Sequence, residues 1–214
     1  MTRLLLLGTI LLAAALPSQA GIIFTNLVEP GDQYGPDGVG IGHTPGFRNP
    51  GDYLTYGVRF VPSLTARLTT IQAPFVVFSG PNQVQAYLMS DAGGVPGNII
   101  EAFSLTNLPA QAGQLVTIHS LLDPLVLAGQ PYWFAATGGG ATFADWTLNL
   151  FQGDPNDGGA AQFTFGGVTG PWTVGSGTRT GALQVSGNAV PEPSSIAMLA
   201  CAALVFVLKI REYR

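Results

Sequence analysis

The chain has 214 residues, a formal net charge of −4 and only 9% charged residues against 47% hydrophobic ones. Between residues 21 and 189 there are ten acidic residues, four arginines and no lysine, a formal charge of −6 that argues against nucleic acid or an anionic membrane surface as partner. The single cysteine, Cys201, lies outside that stretch, which therefore has neither a disulfide nor thiol chemistry.

Residues 1–20 begin with Arg3, continue as an apolar run over 4–16, break at Pro17 and end in Ser18-Gln19-Ala20. A short basic start, an apolar stretch and small residues at the −3 and −1 positions form the pattern of a secretory signal peptide. Cleavage is expected between Ala20 and Gly21, by signal peptidase. The alternative is a retained N-terminal anchor.

Residues 21–189 are long enough for one domain and hold nineteen of the twenty-one aromatic residues, enough to build a core. Twenty-eight glycines and thirteen prolines punctuate short apolar stretches, the mark of many short strands and tight turns. In chain order, strands are expected over 22–27, 53–61, 67–78 with an interruption at Pro74, 83–89, 99–105, 113–119, 124–127, 132–137, 142–151, 162–165 and 182–186. Residues 30–40 read as a loop by composition, 90–97 as a turn, and 166–181 as a Gly-rich connection. Alternation puts Leu54, Tyr56, Val58 and Phe60 on one face, as it does Val84, Ala86 and Leu88, and Val116 with Ile118. No βαβ pattern appears. The expected fold is all-β: an antiparallel β-sandwich, jelly-roll-like, flanked by the signal peptide and a single C-terminal transmembrane helix.

The stretch Ala86-Tyr87-Leu88-Met89-Ser90-Asp91-Ala92-Gly93-Gly94-Val95-Pro96-Gly97, then Leu127-Ala128-Gly129-Gln130-Pro131-Tyr132-Trp133 and Trp146, is similar to exported bacterial β-sandwich domains of the choice-of-anchor type. The resemblance covers roughly residues 55–150 and implies a fold and a surface location, but no activity.

Catalytic constellations are sparse. A Ser-His-Asp arrangement would have to draw on His43, in a Gly/Pro loop, or His119, at the polar face of a strand end. The body has only Glu29 and Glu101 as glutamates, a thin supply for the paired carboxylates of glycoside hydrolysis. The expectation is therefore no enzyme, with a glycan-degrading hydrolase as the alternative. Asp154, Asn156 and Asp157 cluster oxygen-bearing side chains in a Gly-bounded turn, and Asp32 with Asp37 forms a looser group. Calcium prefers such ligands, so a structural Ca²⁺ is considered at the first cluster. Asp, Asn and Gly also dominate ordinary turns, and neither stretch matches the EF-hand pattern. Trp172, after Pro171 in a Gly-rich loop, is the candidate exposed aromatic for stacking on sugars, while Trp133 and Trp146 read as core.

Residues 190–214 close the chain with Val190-Pro191-Glu192-Pro193-Ser194-Ser195, an apolar run from Ile196 to Leu208, and a basic end with Lys209, Arg211 and Arg214. Thirteen apolar residues cover about 20 Å as a helix, short of the ~20 residues a spanning helix normally uses. Ser194 and Ser195 can lengthen the helix and Lys209 can snorkel. The basic end would stay cytoplasmic and leave the body outside. A buried core helix is the alternative. The two prolines keep the collar extended and outside any helix.

Pro191-Glu192-Pro193, the short apolar run and the terminal basic cluster resemble a PEP-CTERM sorting signal. That resemblance implies retention in the inner membrane until an exosortase, a membrane-embedded cysteine transpeptidase, cuts near the motif. It implies that Pro191, Glu192 and Pro193 are read by that enzyme and are not catalytic here. The expected function is that of an exported, non-catalytic surface or extracellular-matrix protein associated with exopolysaccharide. The alternative is a lectin-like carbohydrate-binding module, Ca²⁺-dependent through Asp154 to Asp157.

Overall fold

A computed structural model describes residues 20–27, 37–43, 53–110, 114–149, 161–164, 167–174 and 180–190. The expected signal peptide up to residue 19, the loop of Asp154, Asn156 and Asp157, and the tail holding Pro191, Glu192, Pro193, Ile196, Leu208, Lys209, Arg211 and Arg214 lie outside the described residues. Among the described residues no helix is long and apolar enough to cross a membrane. Thirteen strands are described, and all their pairings are antiparallel.

In chain order they are β1 (Ala20–Thr25), β2 (Gly38–His43), β3 (Tyr53–Phe60), β4 (Ala66–Ser79), β5 (Gln83–Asp91), β6 (Pro96–Thr106), β7 (Leu115–His119), β8 (Leu125–Val126), β9 (Tyr132–Gly138), β10 (Phe143–Thr147), β11 (Ala161–Thr164), β12 (Thr173–Val174) and β13 (Gln184–Ala189). They hydrogen-bond in the order β1-β13-β4-β10-β2-β3-β9-β5-β6, with β7 and β8 on β4, β11 on β3 and β12 on β11. Neighbouring strands lie about 4.8 Å apart, so β10 and β9, three places apart through β2 and β3, would be about 14 Å apart in a flat sheet. Yet the Trp146 ring of β10 is 5.5 Å from the Phe134 ring of β9. The ladder therefore curls over itself. One core receives Ile23, Leu68, Ile71, Phe75 and Val185 from the β1-β13-β4 side and Val58, Phe60, Val84, Leu88 and Phe134 from the β3-β9-β5 side.

The alternating residues of β3 and β5 point where their pattern indicates: Tyr56, Val58, Phe60, Val84, Ala86 and Leu88 all enter this core. In β4 the alternation changes phase. Ala66 and Leu68 are buried, then Ile71, Ala73, Phe75 and Val77. The pairing with β13 jumps from Leu68↔Gly187 to Thr70↔Ser186, so Thr69 is the extra residue of a bulge that resets which face is inward.

Pro74 does not interrupt β4 as expected. The register with β13 ends at Gln72 and that with β10 begins at Phe75. Pro74 therefore sits where the ladder changes partner and a missing N–H removes no bond to either strand.

The segment expected as a loop up to residue 40 instead enters β2 at Gly38. Its Gly-Val-Gly-Ile-Gly pattern is a strand because its neighbour leaves room for nothing larger. A Cβ on Gly38 would stand 2.8 Å from the Asp145 Cβ, and one on Gly40 3.1 Å from the Phe143 ring.

At the centre of the core Trp146 meets Tyr56 and Phe134 edge-on, with ring centroids 5.6 and 5.5 Å away, and leans on Phe75 at 5.4 Å. Its indole N–H donates to the Ala182 carbonyl at 2.9 Å, so its one polar atom is satisfied. Trp146→Ala would remove a fully buried ring that ties β4, β9, β10 and the approach to β13. The expected loss is about 3–5 kcal/mol of unfolding free energy, measured by urea titration. A loss below ~1 kcal/mol would show that this ring is not a keystone of the core.

Candidate functional site

Two polar arrangements stand out from the main core. The first lies on the face of β3, β9 and β5 opposite it. There Met89, Trp133 and Ala135 form a second small apolar cluster, capped by Tyr87, Val168 and Trp172. At its margin Trp133 Nε1–H donates to Asp91 Oδ1 at 2.7 Å, and the Gly94 amide donates to Asp91 Oδ2 at 2.9 Å. The second bond is local: Asp91 ends β5 and its carboxylate closes the turn through Gly93 and Gly94, whose φ values of 74° and 91° suit glycine. Arg59 Nε stands 3.5 Å from Asp91 Oδ1 without making a hydrogen bond, so charge holds this pair together. The Asp91 side chain is 14% exposed and that of Arg59 31%. Burial by itself would raise the Asp91 carboxyl. The Gly94 and Trp133 hydrogen bonds and the Arg59 charge outweigh it and hold the group below the ordinary carboxylate range.

Trp172 is not the free-standing aromatic expected. It is half-buried, and its ring lies 3.4 Å from where a Cβ on Gly57 would stand. Gly57 leaves a hollow on the outer face of β3, and Trp172 fills it beside Trp133. Trp133 and Trp146 are fully buried, as core residues should be.

The second arrangement centres on Glu101 in β6, which is only 4% exposed. Ser120 Oγ donates to its Oε2 at 2.6 Å, and the amides of Leu121 and Leu122 donate to its Oε1 at 2.7 and 3.2 Å. A buried carboxylate is thus fully occupied in fastening the loop between β7 and β8.

The other candidates do not converge. His43 is the last residue of β2, not part of a loop, and its ring faces that of Tyr53 at 6.0 Å across the β2–β3 pairing. His119 is exposed at the end of β7, opposite Thr70. Of the looser acidic pair only Asp37 is among the described residues, and it precedes β2. Among the described residues no three His, Cys, Asp or Glu side chains form a metal-binding group. Ala20 and Gly21, flanking the expected cleavage point, are the first residues of β1 and both are exposed.

Arg59 and Glu101 carry these arrangements; the sequence singles out Glu101 only as one of two body glutamates and gives no sign of Arg59's role. The available signals were weak: Asp91 two residues before Gly93-Gly94, and Glu101 in step with Phe103 on the inward side of β6. Compared with protein-family models and with curated proteins, the chain matches none.

The folded Asp91 carboxyl titrates below its unfolded value of about 4. Its stabilisation is therefore present above that unfolded value and is lost as pH falls through the folded one. Asp91→Asn keeps an oxygen for the Trp133 N–H but loses the charge. The gap in urea midpoint between the natural chain and this variant is expected to be widest near neutrality and to close on acidification below pH ~4. A gap that is the same at both pH values would remove Asp91 from the acid response.

Proposed function

We propose that this is an exported, non-catalytic surface protein. Its body is an antiparallel β-sandwich, jelly-roll-like, carried between a cleavable signal peptide and a C-terminal sorting tail. The tail, 190–214, acts as the PEP-CTERM resemblance implies: Pro191, Glu192 and Pro193 are read by an exosortase while the run from Ile196 to Leu208 holds the chain in the inner membrane. The final location is the cell surface or an extracellular, exopolysaccharide-rich layer. The 9% charged residues leave a surface built largely from neutral polar groups and glycine, which suits such surroundings.

The observation that carries the reading is the pairing of β1 with β13. Ala20 lies opposite Asn188 and Thr25 opposite Gln184. The described residues nearest the two proposed processing points therefore lie side by side at one end of this ladder. Cleavage after Ala20 removes only the outermost pair of this ladder and leaves the pairs from Gly21 to Thr25. The sandwich assignment draws support from the one core shared by the β1-β13-β4 and β3-β9-β5 sides.

A second reading, a lectin-like module, is favoured by the outer-face cluster. Trp172 and Tyr87 are partly buried aromatics next to the Arg59–Asp91 pair, a mixture of apolar ring and charged hydrogen-bonding groups that suits a sugar. Ca²⁺ at Asp154, Asn156 and Asp157 belongs to this reading. A glycan-array signal lost both with chelator and in Trp172→Ala would favour it, whereas flat binding leaves the first reading standing.

The test of the first reading is mass spectrometry of both termini of the mature protein from its own host. A chain beginning at Gly21 and ending near Pro193 is the expected result. Intact Met1 together with intact Arg214 in a soluble intracellular fraction would overturn it.

A further inference from the structure

The loop between β7 and β8 turns two adjacent leucines outward. Leu121 is 88% exposed and Leu122 65%, and Leu125 and Leu127 are exposed beside them. Contiguous exposed apolar side chains mark a contact surface more often than chance. Here they are also held in place. The Leu121 and Leu122 amides are bound to buried Glu101, and Ser120 Oγ accepts from the Asp123 amide at 3.0 Å. Asp123 turns the chain back at a φ of 45°, and the Pro124 carbonyl accepts from the Leu68 amide at 3.0 Å. With its backbone anchored to β6 on one side and β4 on the other, the loop cannot fold its leucines inward.

The same corner of the body leads to the C-terminal segment. Along the first residues of β4, Asn188 and Ala189 of β13 pair with Arg67 and Ala66, and the Val190 amide donates to the Thr65 carbonyl. On the opposite edge of the same stretch, Leu125 and Val126 pair with Arg67 and Ala66, and the Ser120 amide donates to the Thr69 carbonyl. The tail exit and the leucine loop are thus two strand spacings apart, about 10 Å. Ile196, where the apolar run begins, is only six residues along the chain from Val190. Fully extended, they reach about 20 Å. A chain whose run from Ile196 is embedded in lipid therefore keeps this corner within reach of the bilayer surface.

We propose that Leu121 and Leu122 insert into the lipid bilayer that holds the C-terminal segment, so that the body docks on the membrane by this corner. This rests on reading residues 196–208 as a membrane segment. The body's formal charge of −6 gives it no electrostatic attraction to lipid. The contact is apolar, and it persists at high salt and on zwitterionic vesicles.

The test uses the full chain in a Cys201→Ser background, reconstituted into phosphatidylcholine vesicles. An environment-sensitive fluorophore is placed at Leu121→Cys or, as a control, at exposed Thr106→Cys at the far end of β6. A blue shift and quenching by spin-labelled lipid at 121 but not at 106, unchanged at high salt, is the expected result. A chain that floats with its vesicles while position 121 stays as wet as 106 overturns the docking and leaves the tail reading intact. A chain that does not float overturns both. A blue shift that rises with protein density and is not quenched by lipid marks self-association, and it also overturns the docking.

Discussion

The fold depends on the hydrogen-bonding requirement of one strand. β4 is fourteen residues long and must find partners for both of its edges over that length. β13 and β10 share one edge, end to end, while β7 and β8 share the other. Four segments distant in sequence are thereby fixed to one ruler. The bulge at Thr69 and the proline at 74 are tolerated because they fall where partners or phases change. From β10 the ladder runs on through β2 to β3, and the twist natural to such strands brings β3, β9 and β5 back over β4.

That closure explains the density of aromatic residues around Trp146. Tyr56, Phe75 and Phe134 reach it from β3, β4 and β9, so the indole is the point at which β4 meets the β3-β9 part of the ladder. It also explains the glycine at 181. A Cβ there would stand 2.6 Å from the Trp146 ring, so only a bare backbone passes close enough for the Ala182 carbonyl to accept the indole proton. Asn26 completes the junction: its side chain accepts from the Leu183 amide and donates to the Gly181 carbonyl, satisfying backbone groups that no strand pairing serves.

Much of this was legible in the residues. Period-two alternation in β3, β5 and β7 named the inward faces, because each of these strands has one wall on the core. Trp133 and Trp146 read as interior because each sits in an expected strand. The failures have local causes. β2 is written in glycine because Asp145 and Phe143 press on it, a constraint from a strand a hundred residues away that composition reads as a loop. Pro74 looks like a break until the change of partner strand is known. Trp172 reads as exposed because its neighbours in sequence are glycine and proline, while its actual neighbours, Gly57 and Trp133, come from β3 and β9. Glu101 is the most instructive residue. A carboxylate in an inward position signals an internal partner, but the partner is a loop whose own sequence, Ser-Leu-Leu-Asp, gives no sign that it is bound.

The position of β13 has a mechanical consequence. It lies between β1 and β4 and is the last described strand before the tail. A pull on the body against a fixed C-terminus, directed along β13, loads both of its ladders in parallel, as a glued lap joint is loaded in shear. No single hydrogen bond takes the whole force, and the strand cannot be peeled away one pair at a time. A strand at the edge of the sheet, with one ladder in place of two, would resist such a pull with roughly half that grip. Placing the last described strand inside the sheet makes this end of the body harder to draw out than an edge strand would be.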